Sequence, residues 1–312
     1  MKLANISVSG HGAEVAVVAG DVLVTLTDPG LAGLSLNSVG AQTIRLVDDY
    51  VRLNEAEKAE FRDRIGDADL LDNARQPYPF DAVRYHTPVL HPGKVLAAGR
   101  NFGKHLEEAK QLWKERGFDD VEKPKIPTGF IKTSSALTGH REPIRVPEWI
   151  ENVDYEVELL VIMGKTADNV GTEEALSYVA GYSIANDVSA RKIQFAERES
   201  GGGSMAGKNP RTFGPCGPWL TTLDEFDDPM DLRVWTKVNG ETKQDEHTTD
   251  MIYDVKELIS FWSKIGWDPG DMIMSGTPEG VGSRTGSFLK IGDVVECGVD
   301  GIGVLVNQLE KF

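Results

Sequence analysis

The sequence predicts a mixed α+β protein with a curled sheet. Three observations carry that class. Segments of strand pattern outnumber those of helical pattern. Most connections between them are short. Gly280, Gly282 and Gly286 lack the spacing of a P-loop or a dinucleotide-binding turn, which argues against a doubly wound nucleotide fold.

The elements follow in order. AEVAVVAGDVLVTLTD alternates and is rich in Val and Ala, so it reads as a hairpin of two strands. RLVDDYVRLNEAEKAEFRDRI carries apolar residues at helical spacing. Pro77, Pro79, Pro88 and Pro92 then mark a connector, and the boundary is placed there: a small N-terminal α+β domain over 1–92 and a second domain over 93–312. Beyond it, KVLAAG reads as a strand and FGKHLEEAKQLWKERG as a helix ending at Gly117. YEVELLVIMG is a strand that begins alternating and becomes continuously apolar. EEALSYVAG reads as a helix and YSIAND as a strand. SGGGS at 200–204 is the one flexible-looking stretch. MIYDVKELISFWSKIG is an amphipathic helix ending at Gly266, DMIMSGTP a strand, and DVVECGVDGIGVLVNQL a closing hairpin.

Composition narrows the function classes. The 312 residues include 33 Lys+Arg against 49 Asp+Glu, a net charge of −16, with no basic block, so a nucleic-acid phosphate backbone is a poor partner. No apolar run reaches the roughly 18 residues of a membrane-spanning helix, and the N-terminus lacks a leader pattern. Cys216 and Cys297 are too few for a disulfide framework or a structural zinc site. The expectation is a soluble cytoplasmic protein with reduced thiols.

Several residues could carry chemistry. Glu156 and Glu158 lie two apart on a strand and so share a face. They are either two solvated glutamates on an exposed edge or a buried pair that needs a cation or a proton. Asp187 ends YSIAND ahead of a helical stretch; it is either that helix's N-cap or the third carboxylate of a site for a hard cation, Mg²⁺, Mn²⁺ or Ca²⁺. His105 and Glu108 sit at i, i+3, where a carboxylate can orient an imidazole as a water-activating base; the plainer alternative is a surface histidine on a charged helix. Lys208 lies in an irregular Gly/Pro stretch, and Thr277 opens a Gly-rich loop whose N–H groups could hold a carboxylate or phosphate.

Taken together, GRNFGKHLEE, FIKTSSALTGH, VDYEVELLVIMGK, NDVSARKIQ, the stretch from Lys208 through GPCGPW, and SGTPEGVG resemble the fumarylacetoacetate hydrolase family over about two thirds of the chain, from KVLAAGRNF to the C-terminus. The resemblance implies a mixed β-sandwich roll, a homodimer and one divalent cation per subunit. It implies that Glu156, Glu158 and Asp187 are the metal ligands, that His105 and Glu108 form a dyad on a lid helix, and that Lys208 is the active-site lysine. Arg191 and Gln194 would face the substrate, Thr277 would bind its carboxylate end, and Lys132 would match a substrate-side lysine. One position departs from the pattern: Arg211 stands where many members carry Asp, which puts substrate identity in doubt or merely places a cation in solvent.

The implied activity is metal-dependent hydrolysis of the C–C bond of a 2,4-diketo acid, an acylpyruvate such as fumarylpyruvate, to pyruvate and a carboxylic acid. The alternative is decarboxylation or isomerisation, of the oxaloacetate decarboxylase or 2-hydroxyhepta-2,4-diene-1,7-dioate isomerase type. A catalytically idle member that keeps the fold for binding is the third reading.

Overall fold

The computed structural model of the protein describes residues 1–117 and 122–312. The N-terminal part supplies β1 (Lys2–Ser7), β2 (Glu14–Ala19), β3 (Val22–Thr25), helices α1 (Val47–Arg52) and α2 (Glu55–Asp67), and β4 (Tyr78–Pro79). Next come β5 (Val95–Ala98), α3 (Gly103–Glu115), β6 (Gly129–Ile131), β7 (Ile144–Val146), β8 (Val157–Met163), β9 (Val179–Asn186) and α4 (Arg191–Glu199). The chain closes with β10 (Gly214–Thr221), β11 (Arg233–Val238), β12 (Glu241–His247), α5 (Val255–Trp262), β13 (Met272–Met274), β14 (Val294–Val299) and β15 (Gly303–Lys311).

Ten strands run in the order β4-β3-β2-β1-β10-β9-β8-β13-β5-β6, and the short strands Arg84–Tyr85 and Leu137–Thr138 complete a twelve-stranded sheet. It is mixed, because β13 pairs parallel to β5 while β8 pairs antiparallel to both β9 and β13. A second sheet of five strands runs β7-β15-β14-β11-β12. The fold is thus α+β and sheet-rich, with helices in a minor role.

Strand β8 shows why the class holds. All seven of its residues are buried. Successive side chains point to opposite faces, so Leu159 and Val161 join the core shared with Val234, Val295 and Leu305 of the five-stranded sheet. Leu160 and Ile162 join the other core, with Tyr50, Val51 and Phe61 from the N-terminal helices. A strand covered on both faces has no polar side, which is why its sequence runs continuously apolar after Glu158. Strand β1 pairs with β10 in the register Lys2↔Thr221 and Leu3↔Leu220, so the residues before 93 extend the large sheet.

Three sequence expectations need correction. The single helix expected over 45–65 is two helices. Asn54 breaks it by accepting a hydrogen bond from the Glu57 N–H (3.0 Å) and capping α2. The helix expected over EEALSYVAG is only a 3₁₀ turn, Ala175–Tyr178, and the chain from Val179 onward joins the sheet as β9. Ladder pairing of Val179–Asn186 with β8 outweighs weak local helix preference. Asp187 is not a helix N-cap: α4 starts at Arg191 behind Ala190, and a short ladder between Val153–Asp154 and Ser189–Ala190 intervenes.

Candidate active site

Glu156 and Glu158 stand at the start of β8, on the same face, in the centre of the large sheet. The edge-strand alternative is therefore excluded; both carboxylates are buried. The Glu156 N–H donates to Asn186 Oδ1 (2.9 Å), which draws the end of β9 and Asp187 alongside. Ligand oxygens of Glu156, Glu158 and Asp187 all lie within 4.8 Å of one another.

Three buried cations hold this cluster. Lys208 Nζ donates to Glu156 Oε2 and to Asp187 Oδ2, each at 2.5 Å. Lys132 Nζ donates to the other oxygen of Asp187 at 2.5 Å. Arg191 donates from Nη2 to Glu156 Oε1 (2.5 Å), from Nε to Asp154 Oδ2 (2.7 Å) and from Nη1 to Gln194 Oε1 (2.8 Å). Burial would raise the Glu156 carboxyl, but Arg191 and Lys208 outweigh it and hold its pKa down at about 2. Glu158 fares oppositely. Burial and the charges of Asp187 and Glu156 push it well above the carboxylate range, and among the described residues only the Gly276 N–H donates to it, at 2.7 Å. Burial alone would lower Lys208, but Asp187 and Glu156 raise it above the usual lysine value. Lys132, wholly buried, is pulled down by desolvation despite Asp187.

The donor set tests the fit of a cation. It consists of carboxylate oxygens, it is buried, and it leaves Glu158 a carboxyl whose ionisation burial and the charges of Asp187 and Glu156 oppose until a cation offsets them. That suits a hard divalent ion with oxygen ligands rather than zinc.

Helix α3 forms the facing wall. His105 Nδ1 lies 3.5 Å from Glu108 Oε2, and this buried nitrogen makes no hydrogen bond among the described residues. Both Glu108 oxygens accept from the Gly280 N–H at 3.2 Å. Gly280 has φ +94°, and a Cβ there would come within 2.1 Å of the Lys243 carbonyl oxygen, so only glycine allows this loop to reach the helix. A cavity of about 380 Å³ lies between these walls and is lined by His105, Glu108, Glu156, Glu158, Asp187, Arg191, Gln194, Lys208 and Thr277. Lys132 is the one candidate residue that does not line it, because it sits behind Asp187 with its side chain fully enclosed. Arg211 is exposed and is not part of the described cavity wall.

Some residues of the site escaped the sequence reading. Asp154 accepts from Arg191, from the Gly282 N–H (2.6 Å) and from the Ser283 N–H (2.9 Å), and so ties the Gly-rich loop to the carboxylate strand. Gln244 donates to Thr277 Oγ1 (2.9 Å) and the Pro278 carbonyl (2.9 Å) while its own oxygen accepts from Thr236 Oγ1 (2.9 Å), which fixes the Thr277 hydroxyl. Asp154 stands two residues before Glu156, a spacing that could have flagged it; nothing near Gln244 in sequence signals its role.

The model for the fumarylacetoacetate (FAA) hydrolase C-terminal family matches residues 94–310. The chain belongs to this family. The human mitochondrial oxaloacetate tautomerase FAHD2B is 36% identical over 234 residues, covering 74% of this chain and 71% of that one. Among solved structures, fumarylacetoacetate hydrolase from Exiguobacterium antarcticum superposes with a TM-score of 0.77 at 29% identity, covering 100% of both chains. Maleylpyruvate hydrolase from Sphingobium, solved with manganese(II) and pyruvate, gives a TM-score of 0.75 at 27% identity, covering 100% of this chain and 99% of that one. The fumarylacetoacetate hydrolase family therefore includes tautomerase and hydrolase relatives of this protein, and an enzyme of that family is what the chain encodes. Among the described residues, no helix is long and apolar enough to cross a membrane.

Proposed function

We propose that this protein is a divalent-metal-dependent enzyme that interconverts the keto and enol forms of a 2-oxo diacid of the oxaloacetate type. The observation that carries this reading is His105. Its buried Nδ1 has no hydrogen-bond partner among the described residues, and it faces the same cavity as the three carboxylates. An imidazole in that setting is free to move a proton. The 36% identity to an oxaloacetate tautomerase supports the reaction type.

Glu156, Glu158 and Asp187 would hold Mg²⁺ or Mn²⁺, which when bound supplies Lewis-acid stabilisation of a developing oxyanion and a template for a 2-oxo acid. The chain's own residues do the rest. His105 takes a proton from C3, the C–H electron pair becomes the C2=C3 bond, and the carbonyl oxygen gains a proton. Glu108, fixed by Gly280 and 3.5 Å from His105 Nδ1, would stabilise the charged imidazole that forms when the proton is taken. Lys208 and Arg191 present positive charge to the oxygen where negative charge develops. Base assistance of this kind contributes about 10²–10⁴-fold.

A second reading is C–C hydrolysis of an acylpyruvate, and the size of the cavity favours it. Its roughly 380 Å³ falls in the range of about 300–1,000 Å³ that accepts drug-sized ligands, more than a four-carbon diacid fills. There His105 takes the proton from water, hydroxide adds to the C4 carbonyl, the C3–C4 bond breaks, and its electron pair passes to the enolate of pyruvate, which is then protonated at C3.

One experiment separates the two. The purified protein with Mn²⁺ or Mg²⁺, and with EDTA as control, is given enol oxaloacetate, followed by its ultraviolet absorbance, and fumarylpyruvate, followed by pyruvate release. Metal-dependent acceleration of enol decay without pyruvate release supports the tautomerase. A larger kcat/KM on fumarylpyruvate with pyruvate release supports the hydrolase. Turnover insensitive to EDTA would sink both readings.

A further inference from the structure

We propose that Arg100 anchors the distal carboxylate of the substrate and thereby selects a 2-oxo diacid over a 2-oxo monoacid. This rests on the reading that the 2-oxo acid end is held at Glu156, Glu158 and Asp187. Five cations line the cavity: Arg100, Arg191, Arg198, Lys208 and Arg284. Four of them are engaged. Arg191 and Lys208 are bound to the buried carboxylates. Arg284 donates to Gln111 Oε1 (2.5 Å) and lies 3.6 Å from Glu115. The Arg198 guanidinium is stacked 4.1 Å over the Trp113 ring. The Arg100 guanidinium makes no hydrogen bond or ion pair among the described residues. In a chain of net charge −16, a cavity cation left without a carboxylate among the described residues is available to a ligand's anion.

The backbone adds a second, independent observation. Arg100 has φ +56°, a left-handed conformation that glycine or asparagine adopts more readily than arginine. Both neighbours are clamped. The Gly99 N–H donates to the Thr128 carbonyl (2.8 Å). The Asn101 amide donates to the Tyr253 and Ser275 carbonyls (2.9 and 2.8 Å), and its oxygen accepts from the Tyr253 N–H (3.0 Å). The fold therefore holds a bulky residue in a conformation it disfavours, at the turn between β5 and α3, on the cavity wall. Such outliers persist where surroundings over-determine them and cluster at ligand sites. An arginine kept where a glycine would relax the turn points to use of its guanidinium.

The test is binding, measured by titration calorimetry on the Mn²⁺-loaded protein with three probes that undergo no net reaction here: oxalate has no enolisable hydrogen, and the two 2-oxo acids rest at equilibrium as their keto forms. Oxalate engages the metal-proximal end alone. The pair 2-oxoglutarate and 2-oxopentanoate share a five-carbon chain and differ by a terminal carboxylate against a methyl group. The native protein binds 2-oxoglutarate about 10–100-fold more tightly than 2-oxopentanoate, the worth of one charge-assisted hydrogen bond. In Arg100→Asn, which suits the left-handed backbone, that ratio falls to about one while oxalate affinity is unchanged. Arg100→Lys keeps part of the preference and serves if the Asn variant folds poorly. An unchanged ratio in Arg100→Asn overturns the proposal, as does a native protein that does not discriminate the pair. Failure of oxalate to bind the native loaded protein would instead overturn the underlying placement of the 2-oxo acid end.

Discussion

Glu158 and His105 line one cavity but hang from supports of different rigidity. Glu158 sits on β8, whose seven residues are all buried and whose two neighbours in the sheet are β9 and β13. His105 sits on α3, which buries only Leu106 and Trp113. That helix is tethered by partly exposed contacts: Lys104 to Glu246 and Glu279, Arg284 to Gln111, and Arg116 to Glu199. Exposed pairs contribute little each, and α3 adds to them the packing of Leu106 and Trp113 against Phe195 and Ile252, so it is held by less buried surface than β8, which lies between two cores. On the proposed reaction, this arrangement would keep the charged groups fixed while the helix brings His105 to the substrate.

The largest expected effect is at the rigid wall. Glu158→Gln should reduce Mn²⁺ affinity by more than the roughly 10–100-fold typical of losing a residue that merely supports a metal ligand, and turnover should fall with it. In EDTA the same variant should melt at or above the native temperature, because it removes a carboxyl whose ionisation burial, Asp187 and Glu156 all oppose. Calorimetric Mn²⁺ titration and thermal melts check both halves. Metal affinity left at the native level would end the assignment of Glu158 as a ligand.

His105→Ala should lower kcat by about 10²–10⁴-fold while leaving Mn²⁺ affinity within error. A parallel loss of metal binding would break the contrast between the two walls, since the helix would then be part of the metal's support.

A second histidine sharpens the comparison. His140 is also buried, but its Nδ1 accepts from the Val306 N–H at 3.0 Å, so protonation would set one donor against another. Burial, with Arg141 nearby, lowers its pKa from 6.5 to about 4. The unfolded chain therefore binds the proton first as pH falls, and the folded state loses stability between about pH 6.5 and 4, by about 3 kcal/mol in total. Urea unfolding at several pH values should show this decline in the native protein and not in His140→Gln. Parallel pH profiles would remove the argument.

The smallest effect is expected at the outer tether. Arg116→Ala breaks the pair with Glu199 (2.9 Å) and the contact over the Phe195 ring (4.2 Å). It should cost about 1 kcal/mol or less, seen as a small drop in Tm, with KM changed more than kcat. A large loss of stability would mean that α3 is as firmly held as β8.

Much of this contrast could be read along the chain. The apolar run after Glu158 marked a strand, and the two-residue step from Glu156 to Glu158 placed both carboxylates on one face. The i, i+3 step from His105 to Glu108 placed both on one helical face in the same way. These are local periodicities, and backbone geometry alone enforces them. The helix expected at EEALSYVAG failed for the opposite reason: its outcome depended on pairing with β8, which no local pattern records.

By itself, then, the sequence determined the sheet-rich class, the family-like motifs and the order of the chemistry-bearing residues. Tertiary structure alone decided whether Asp187 capped a helix or joined the glutamates, that Asp154 would meet Arg191 across 37 positions, and that Gln244 would hold Thr277 across 33. It also left Arg100 without a carboxylate of its own among the described residues, while each other cation of the cavity found a partner. The physical reason is range. Side-chain direction follows from a residue's own backbone, but charge pairing in a buried site follows from which strands and loops the sheets bring together.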